Sequence, residues 1–419
     1  MERPELALGA RGARAGAPQP GARAGSATGG DVGITFAGSP RHTLGVEIEV
    51  GIVSEATGAL VGAAPRVLAE VLPVPRGRFA PEAKKELFDS TLELTTGVCA
   101  TTAQVRADLR RALALPSSVL RRDGLALMSA GLHPFSSWAQ QQVMDDERYR
   151  LMIAREQWPV RRLTTYGLHI HVGVPSAQHA IACLTGLAPL VPHLLALSAS
   201  SPFRRGHDTG LASVRNRLWA SVPRSGPPPP MRDWSQFEAL AALLQASGSI
   251  ASPRDLWWDL RPSAELGTVE LRMCDAVSTL DEVAALAAFA QAAVAACCRA
   301  HDEGEPMPGQ QEWMIRENTW RAARAGTEAQ LVLPDGRVRP LAEDILDWVD
   351  QLRPTAAELG GRDDLDRIAG ILGRGAGHSR QRAVLAARGS MRDVVRHLVA
   401  ELRGDPVDLR DPARSVALP

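Results

Sequence analysis

A chain of 419 residues with 45% hydrophobic and 22% charged side chains carries enough apolar material for a large core, which excludes a low-complexity or wholly disordered protein. Its 47 basic residues cancel its 47 acidic ones, so no global field recruits nucleic acid or an anionic membrane, and specificity must come from local sites. The five cysteines (Cys99, Cys183, Cys274, Cys297 and Cys298) include no C-x-x-C pair, which argues against a disulfide framework or a structural zinc site and fits reduced thiols in a cytoplasmic protein.

Residues 1–40 are rich in Ala, Gly, Arg and Pro, lack the apolar stretch of a secretory signal, and read as a disordered extension. Thr43–Val53 alternates and is β-branched, the pattern of a strand. A second strand is expected at Thr91–Thr95, then a helix capped by Thr101 or Thr102 and running to about Ala114. Leu125–Ala130 is a short strand, Arg148–Glu156 a helix, and Tyr166–Val174 a further strand. Ile181–Ala199 is apolar enough to raise the question of a membrane span, but Pro189, Pro192 and His193 interrupt it and no charged anchors flank it, so a buried core helix is expected.

Four consecutive prolines make Ser221–Pro230 an irregular loop, and Gly267–Cys274 is another strand. Asp281–Arg299 is an Ala-rich helix; from there to about Leu402 the chain reads as helical, apart from a Pro-Asp-Gly turn at 334–336. Strands and helices mix without regular βαβ alternation, which predicts an α+β fold with a mostly antiparallel sheet. No repeat or linker divides the chain, so a single catalytic domain is expected over 41–405, with a flexible tail at 406–419.

Three strand-like segments share one design, two polar residues spaced two apart among apolar neighbours: Glu47 and Glu49, His169 and His171, Glu270 and Arg272. Side chains alternate across a strand, so each pair faces one side. Leu92, Glu93 and Leu94 add a fourth segment with one acid on its own face. One such pair alone reads as a solvated sheet face, but the repetition of carboxylates and imidazoles framed by Val, Ile and Leu does not. Several carboxylates gathered on one face repel each other strongly unless a divalent cation compensates them. Hard carboxylate oxygens with an occasional imidazole suit Mg²⁺ or Mn²⁺ bridging phosphate oxygens. Nearly all the basic residues are arginines, whose planar fork suits carboxylates and phosphates; Lys84 and Lys85 are the only lysines.

These segments resemble the bacterial carboxylate–amine ligase family, also called glutamate–cysteine ligase type 2. The resemblance is carried by Gly45–Glu49 (GVEIE), Glu86–Cys99, Gly167–Gly173 (GLHIHVG), Trp257–Ser263 (WWDLRPS) leading into Gly267–Arg272, Arg204–Trp219 and Asn318–Ala325 (NTWRAARA), and spans roughly Arg41 to Leu352. It implies a glutamine-synthetase-like fold, a curved, mainly antiparallel sheet with helices packed on its convex side. It also implies the reaction, in which ATP converts a carboxylate, that of the glutamate side chain, into an acyl phosphate and an amine displaces the phosphate.

Carried over residue by residue, the resemblance implies Glu47, Glu49, Glu93, His169 and Glu270 as metal ligands, with Glu86 and His171 beside them. Arg272 and Glu93 become the catalytic pair, Lys85 and Arg272 hold nucleotide phosphate, and Arg205 and Arg215 clamp the substrate carboxylate. The implied cofactors are ATP and Mg²⁺, with Mn²⁺ as a substitute. The implied partners are small molecules, with neither nucleic acid nor membrane, and with room for a homodimer. The chain departs from the family pattern in its longer extension, in Thr319 where a lysine is frequent, and in Ala325 where an aromatic is frequent. Two other readings of the residues stand beside this one: a metal-dependent hydrolase built on the H-x-H strand, and a weakly active, ligand-sensing homologue. ATP dependence separates the first from a ligase.

Overall fold

The structure, a computed structural model, describes residues 33–39, 42–71 and 80–405. The sequence-based expectations for the extension before Gly33 and for the tail after Asp405 lie outside them.

Seven strands form the main sheet: β1 (Leu44–Ser54), β2 (Glu82–Lys85), β3 (Thr91–Thr95), β4 (Leu125–Met128), β5 (Gly167–Gly173), β6 (Leu260–Ser263) and β7 (Thr268–Asp275). Their order is β6-β7-β5-β1-β3-β2, with β4 paired to the second half of β1, and every pairing is antiparallel. The period-2 pattern explains the sheet's two characters. Leu44, Val46, Ile48 and Val50 of β1, Leu168, Ile170 and Val172 of β5, and Val269 and Leu271 of β7 are all buried on one side. The intervening positions carry Glu47, Glu49, His169, His171 and Glu270 on the other.

Helices Thr102–Arg121 and Leu280–Asp302 pack on this sheet and against each other. The second is capped by Thr279, whose side chain accepts from the Glu282 N–H, and its small residues Ala284, Ala285, Ala287, Ala288 and Ala292 are all buried, which lets the helix lie close to its neighbours. Helix Thr102–Arg121 runs past its expected end at Ala114, through Pro116. Pro116 lacks an N–H for one intrahelical bond, but burial of Val119 and Leu120 beyond it favours continuing the helix. The apolar segment after β5 forms helices Ala177–Leu187 and Val191–Ser198, joined by a 3₁₀ turn. Ala177–Ser198 and Leu280–Asp302 are long and apolar enough to cross a membrane, yet 83% of the most apolar window of each is buried inside the fold.

Candidate active site

Sheet register brings the predicted residues together. Glu47 of β1 stands opposite His169 of β5 on one side and Thr95 of β3 on the other, and Glu49 stands opposite Glu93. His171 faces Glu270 of β7, and Glu270 faces Arg261 of β6. Directly opposed residues project to the same side, so five strands (β1, β3, β5, β6 and β7) combine their polar positions into one predominantly acidic patch. Glu47 Oε2 lies 3.3 Å from His169 Nδ1, and Glu47 Oε1 lies 3.6 Å from His171 Nε2. Glu270 Oε1 is 4.0 Å from His169 Nδ1 and 3.8 Å from His171 Nε2. One donor atom from each of Glu47, His169 and Glu270 falls within 4.8 Å of the other two.

Charge is distributed unevenly over this face. Glu270 is only 1% exposed; its Oε2 accepts from Arg261 Nε at 2.9 Å and Nη2 at 2.6 Å, and its Oε1 accepts from Arg272. Burial opposes its ionisation, but Arg261 and Arg272 hold it well below the usual carboxylate range. Burial also opposes ionisation of Glu47, which its hydrogen bond with His169 and the charge of His171 bring down to about 2. The neighbouring acids behave oppositely. Glu49 accepts from the Gly167 N–H at 2.6 Å, yet burial and the charge of Glu86 push it up to about 8. Burial raises Glu86, and burial with Glu47, Glu86 and Glu49 raises Glu93 well above its ordinary value. His169 is held down to about 4 by burial and Arg272, so its imidazole is neutral at neutral pH, and its buried Nε2 has no hydrogen-bond partner among the described residues. Carboxylates in excess of the local arginines, together with an orphaned imidazole nitrogen, are the donor set expected of a divalent-cation site.

Arg215 is brought beside this face. It is buried, with Nη1 3.4 Å from the Met273 carbonyl and Nη2 3.4 Å from that of Arg272. A Cβ on Gly167 would lie 2.4 Å from Arg215 Nη2 and 2.9 Å from His169 Nε2, so a larger residue there would displace one or both of these side chains. Lys85 and Arg205 are not brought to the patch. Lys85 pairs with Leu92, on the opposite pleat from Glu93, and its Nζ is engaged by Asp146; Lys84 is the lysine opposite Glu93. Arg205 is exposed at the tip of the Phe203–Asp208 ribbon, in the left-handed region with φ 51°.

Several contributors were missed in the sequence. Arg261 and Asp259 repeat the two-apart signal inside the WWDLRPS segment, and that signal could have found them. Asp275 had none. Its buried carboxylate accepts from the Ser200 N–H (3.0 Å), Ser201 Oγ (2.7 Å) and Ser213 Oγ (2.8 Å), and Ser213 caps the helix Val214–Trp219 that carries Arg215.

Residues 43–401 match the profile of glutamate–cysteine ligase family 2. A Frankia alni relative whose name assigns it as a glutamate–cysteine ligase 2-1 is 43% identical over 377 residues, covering 89% of this chain and 99% of its own. A Thermobifida fusca relative with the name glutamate–cysteine ligase 2 is 39% identical over 389 residues, covering 91% and 98%. The solved glutamate–cysteine ligase of Francisella tularensis, in complex with AMP, superposes with a TM-score of 0.63 at 13% identity, covering 91% of this chain and 92% of that one, and so shares the fold. Fold and family together define an ATP-dependent carboxylate–amine ligase with glutamate–cysteine ligase-like activity, on the α+β, glutamine-synthetase-like architecture expected from the sequence. The chain belongs to glutamate–cysteine ligase family 2.

Proposed function

We propose that the acidic face of the sheet is the reaction centre, and that it joins the side-chain carboxylate of glutamate to the amine of cysteine with Mg²⁺ as the resident cation. The single observation behind this reading is the convergence of Glu47, His169 and Glu270 to within 4.8 Å. Those three residues would hold the ion, with Glu49, Glu93, Glu86 and His171 completing its surroundings. When bound, the cation supplies charge neutralisation for ATP phosphates, which carboxylates alone would repel.

The protein's own groups then position and compensate. Arg272, fixed against Glu270, presents a guanidinium where phosphoryl charge redistributes, and it helps the transition state more than the bound nucleotide. Glu93 helps keep the face acidic enough to retain the cation. Arg215 stands where it can orient a substrate carboxylate. No protein nucleophile is required, because the acyl phosphate forms on the substrate and the incoming amine displaces phosphate. Both long apolar helices are packed inside the fold, which supports a cytoplasmic enzyme acting on small molecules.

The test is phosphate release from ATP across a panel of amino-acid pairs, with and without Mg²⁺ and with Mn²⁺ as a substitute. Release that requires glutamate, cysteine and the cation together is expected. Equal release in the presence of excess chelator would overturn the metal assignment, and a strong preference for another pair would overturn the substrates.

A further inference from the structure

Next to the acidic face lies a cavity of about 250 Å³, lined by Asp259, Arg215, Arg272, Arg316, Trp257 and Trp320 among others. Its volume is at or below the lower end of typical small-molecule pockets and suits an amino acid rather than a nucleotide. Trp257 and Asp259 of the WWDLRPS segment and Arg316, Thr319 and Trp320 in and beside the NTWRAARA segment, which the acidic face leaves unexplained, meet here.

Asp259 is the unusual member. It is 8% exposed, and among the described residues its carboxylate makes no hydrogen bond or ion pair. Its main chain is fixed, the N–H donating to the Gly226 carbonyl and the carbonyl accepting from the Arg272 N–H, both at 2.8 Å. The nearby guanidiniums are committed elsewhere: Arg272 to Glu270, Arg316 Nε and Nη2 to Glu312 Oε1 at 2.8 and 2.7 Å, and Arg215 to main-chain carbonyls. Burial accordingly pushes Asp259 up to about 6, despite the attraction of Arg215, Arg316 and Arg272. A buried carboxylate that faces a cavity without a partner is costly to leave unmet. A ligand ammonium meets it.

Resting on the ligase reading above, we propose that Asp259 anchors the α-ammonium of the dicarboxylic amino acid that donates the carboxylate. The opposite wall supplies the complement. Arg316 Nη1 sits over Gly226, where a Cβ would approach it to 3.3 Å, and can take the α-carboxylate, with Arg215 lining the same cavity. Trp257 and Trp320 provide apolar walls for the methylenes. Arg272 lines the cavity and also contacts Glu270, so a side-chain carboxylate pointing that way reaches the acidic face. An ammonium ion-paired with Asp259 stays protonated and cannot be the attacking amine. The anchor therefore selects the carboxylate donor, not its partner.

Cavity tryptophans provide a direct readout through fluorescence titration without ATP. The probes are L-glutamate and glutarate, the same chain without the ammonium. The wild-type protein should bind L-glutamate on the order of 100-fold more tightly than glutarate. Asp259→Asn keeps the shape but removes the charge, and should bring the two ligands to within several-fold of each other while leaving ATP affinity unchanged. Retention of the wild-type preference in Asp259→Asn overturns the anchor, as does equal binding of the two ligands by the wild-type protein, which needs no variant to fold. Absence of ATP-dependent turnover would count against the ligase reading, whereas the fluorescence comparison would still decide the anchor.

Discussion

Glu270 and Arg261 face each other across β6 and β7, and Glu270 Oε2 accepts two hydrogen bonds from that single guanidinium, at 2.9 and 2.6 Å. With Arg272 on its other oxygen, Glu270 is a structural keystone as well as a proposed ligand. Glu47, whose side chain is 28% exposed, contacts only imidazoles among the described residues. The two therefore separate on substitution. Glu47→Gln and Glu270→Gln should each reduce ATP turnover by about 10²–10³-fold. Only Glu270→Gln should also cost about 3–5 kcal/mol of stability, by leaving two buried guanidiniums short of their counter-charge. Turnover measured with thermal melts decides it, and retained turnover in both variants would sink the metal site.

The raised acids predict how the metal-free protein responds to pH. Glu49 has a folded value of about 8 against an ordinary 4.5, so between those values the folded state binds more protons than the unfolded state. The stability contributed by its protonated form is fully present below about 4.5 and is lost as pH rises through about 8; Glu86 and Glu93 shift in the same direction. Below about pH 6.5 the depressed histidines, His169 among them, contribute the opposite slope. The melting temperature without divalent cations should therefore fall from pH 7 to pH 8.5, and millimolar Mg²⁺ should restore more of it at pH 8.5 than at pH 7. A Mg²⁺ effect independent of pH would mean that these carboxylates do not sense the ion.

All five cysteines are buried, and none is proposed as a nucleophile. Burial and Asp108 push the Cys99 thiol up to about 12, and burial does the same to Cys274, so neither is a thiolate at neutral pH. Single replacement by Ala should leave turnover near wild type. Cys183 and Cys274 should each cost about 1–2 kcal/mol through lost packing, which a melting curve reads. A thioester trapped on any cysteine would contradict an acyl phosphate formed on the substrate.

Much of the patch was legible because a strand's period is fixed. Once GVEIEV and GLHIHVG are read as strands, Glu47 must share a face with Glu49, and His169 with His171. Which strands lie beside each other is set by long-range pairing that no local pattern encodes, so the opposition of Glu47 to His169, and of Glu270 to both His171 and Arg261, had to come from the structure. Adjacent lysines illustrate the limit. Lys84 and Lys85 look equivalent in sequence, but the register gives Lys84 to Glu93 and turns Lys85 toward Asp146. Asp275 was invisible for a related reason, since its serine partners at 200, 201 and 213 lie far away along the chain.

Arg272 offers the sharpest distinction between chemistry and architecture. On the architectural reading it only neutralises Glu270 and keeps β7 in the sheet. The structure weakens the need for that, because Arg261 already gives Glu270 Oε2 two hydrogen bonds, and the main chain of Arg272 is held independently by the Asp259 carbonyl and by Arg215. What the Arg272 side chain adds is a second planar fork, positioned between Glu270 and the cavity containing Asp259. In the ground state part of its attraction is spent on nucleotide already charged; as the phosphoryl group transfers, charge spreads over its oxygens and a fixed fork gains most there. Arg272→Lys preserves the charge and loses the bidentate geometry. Turnover should fall by about 10²–10³-fold, with ATP affinity changing by only a few-fold. Stability should drop by less than about 1 kcal/mol, because Arg261 remains. Steady-state kinetics alongside a melting curve separate the two readings, and near-normal turnover in the lysine variant would defeat the catalytic role.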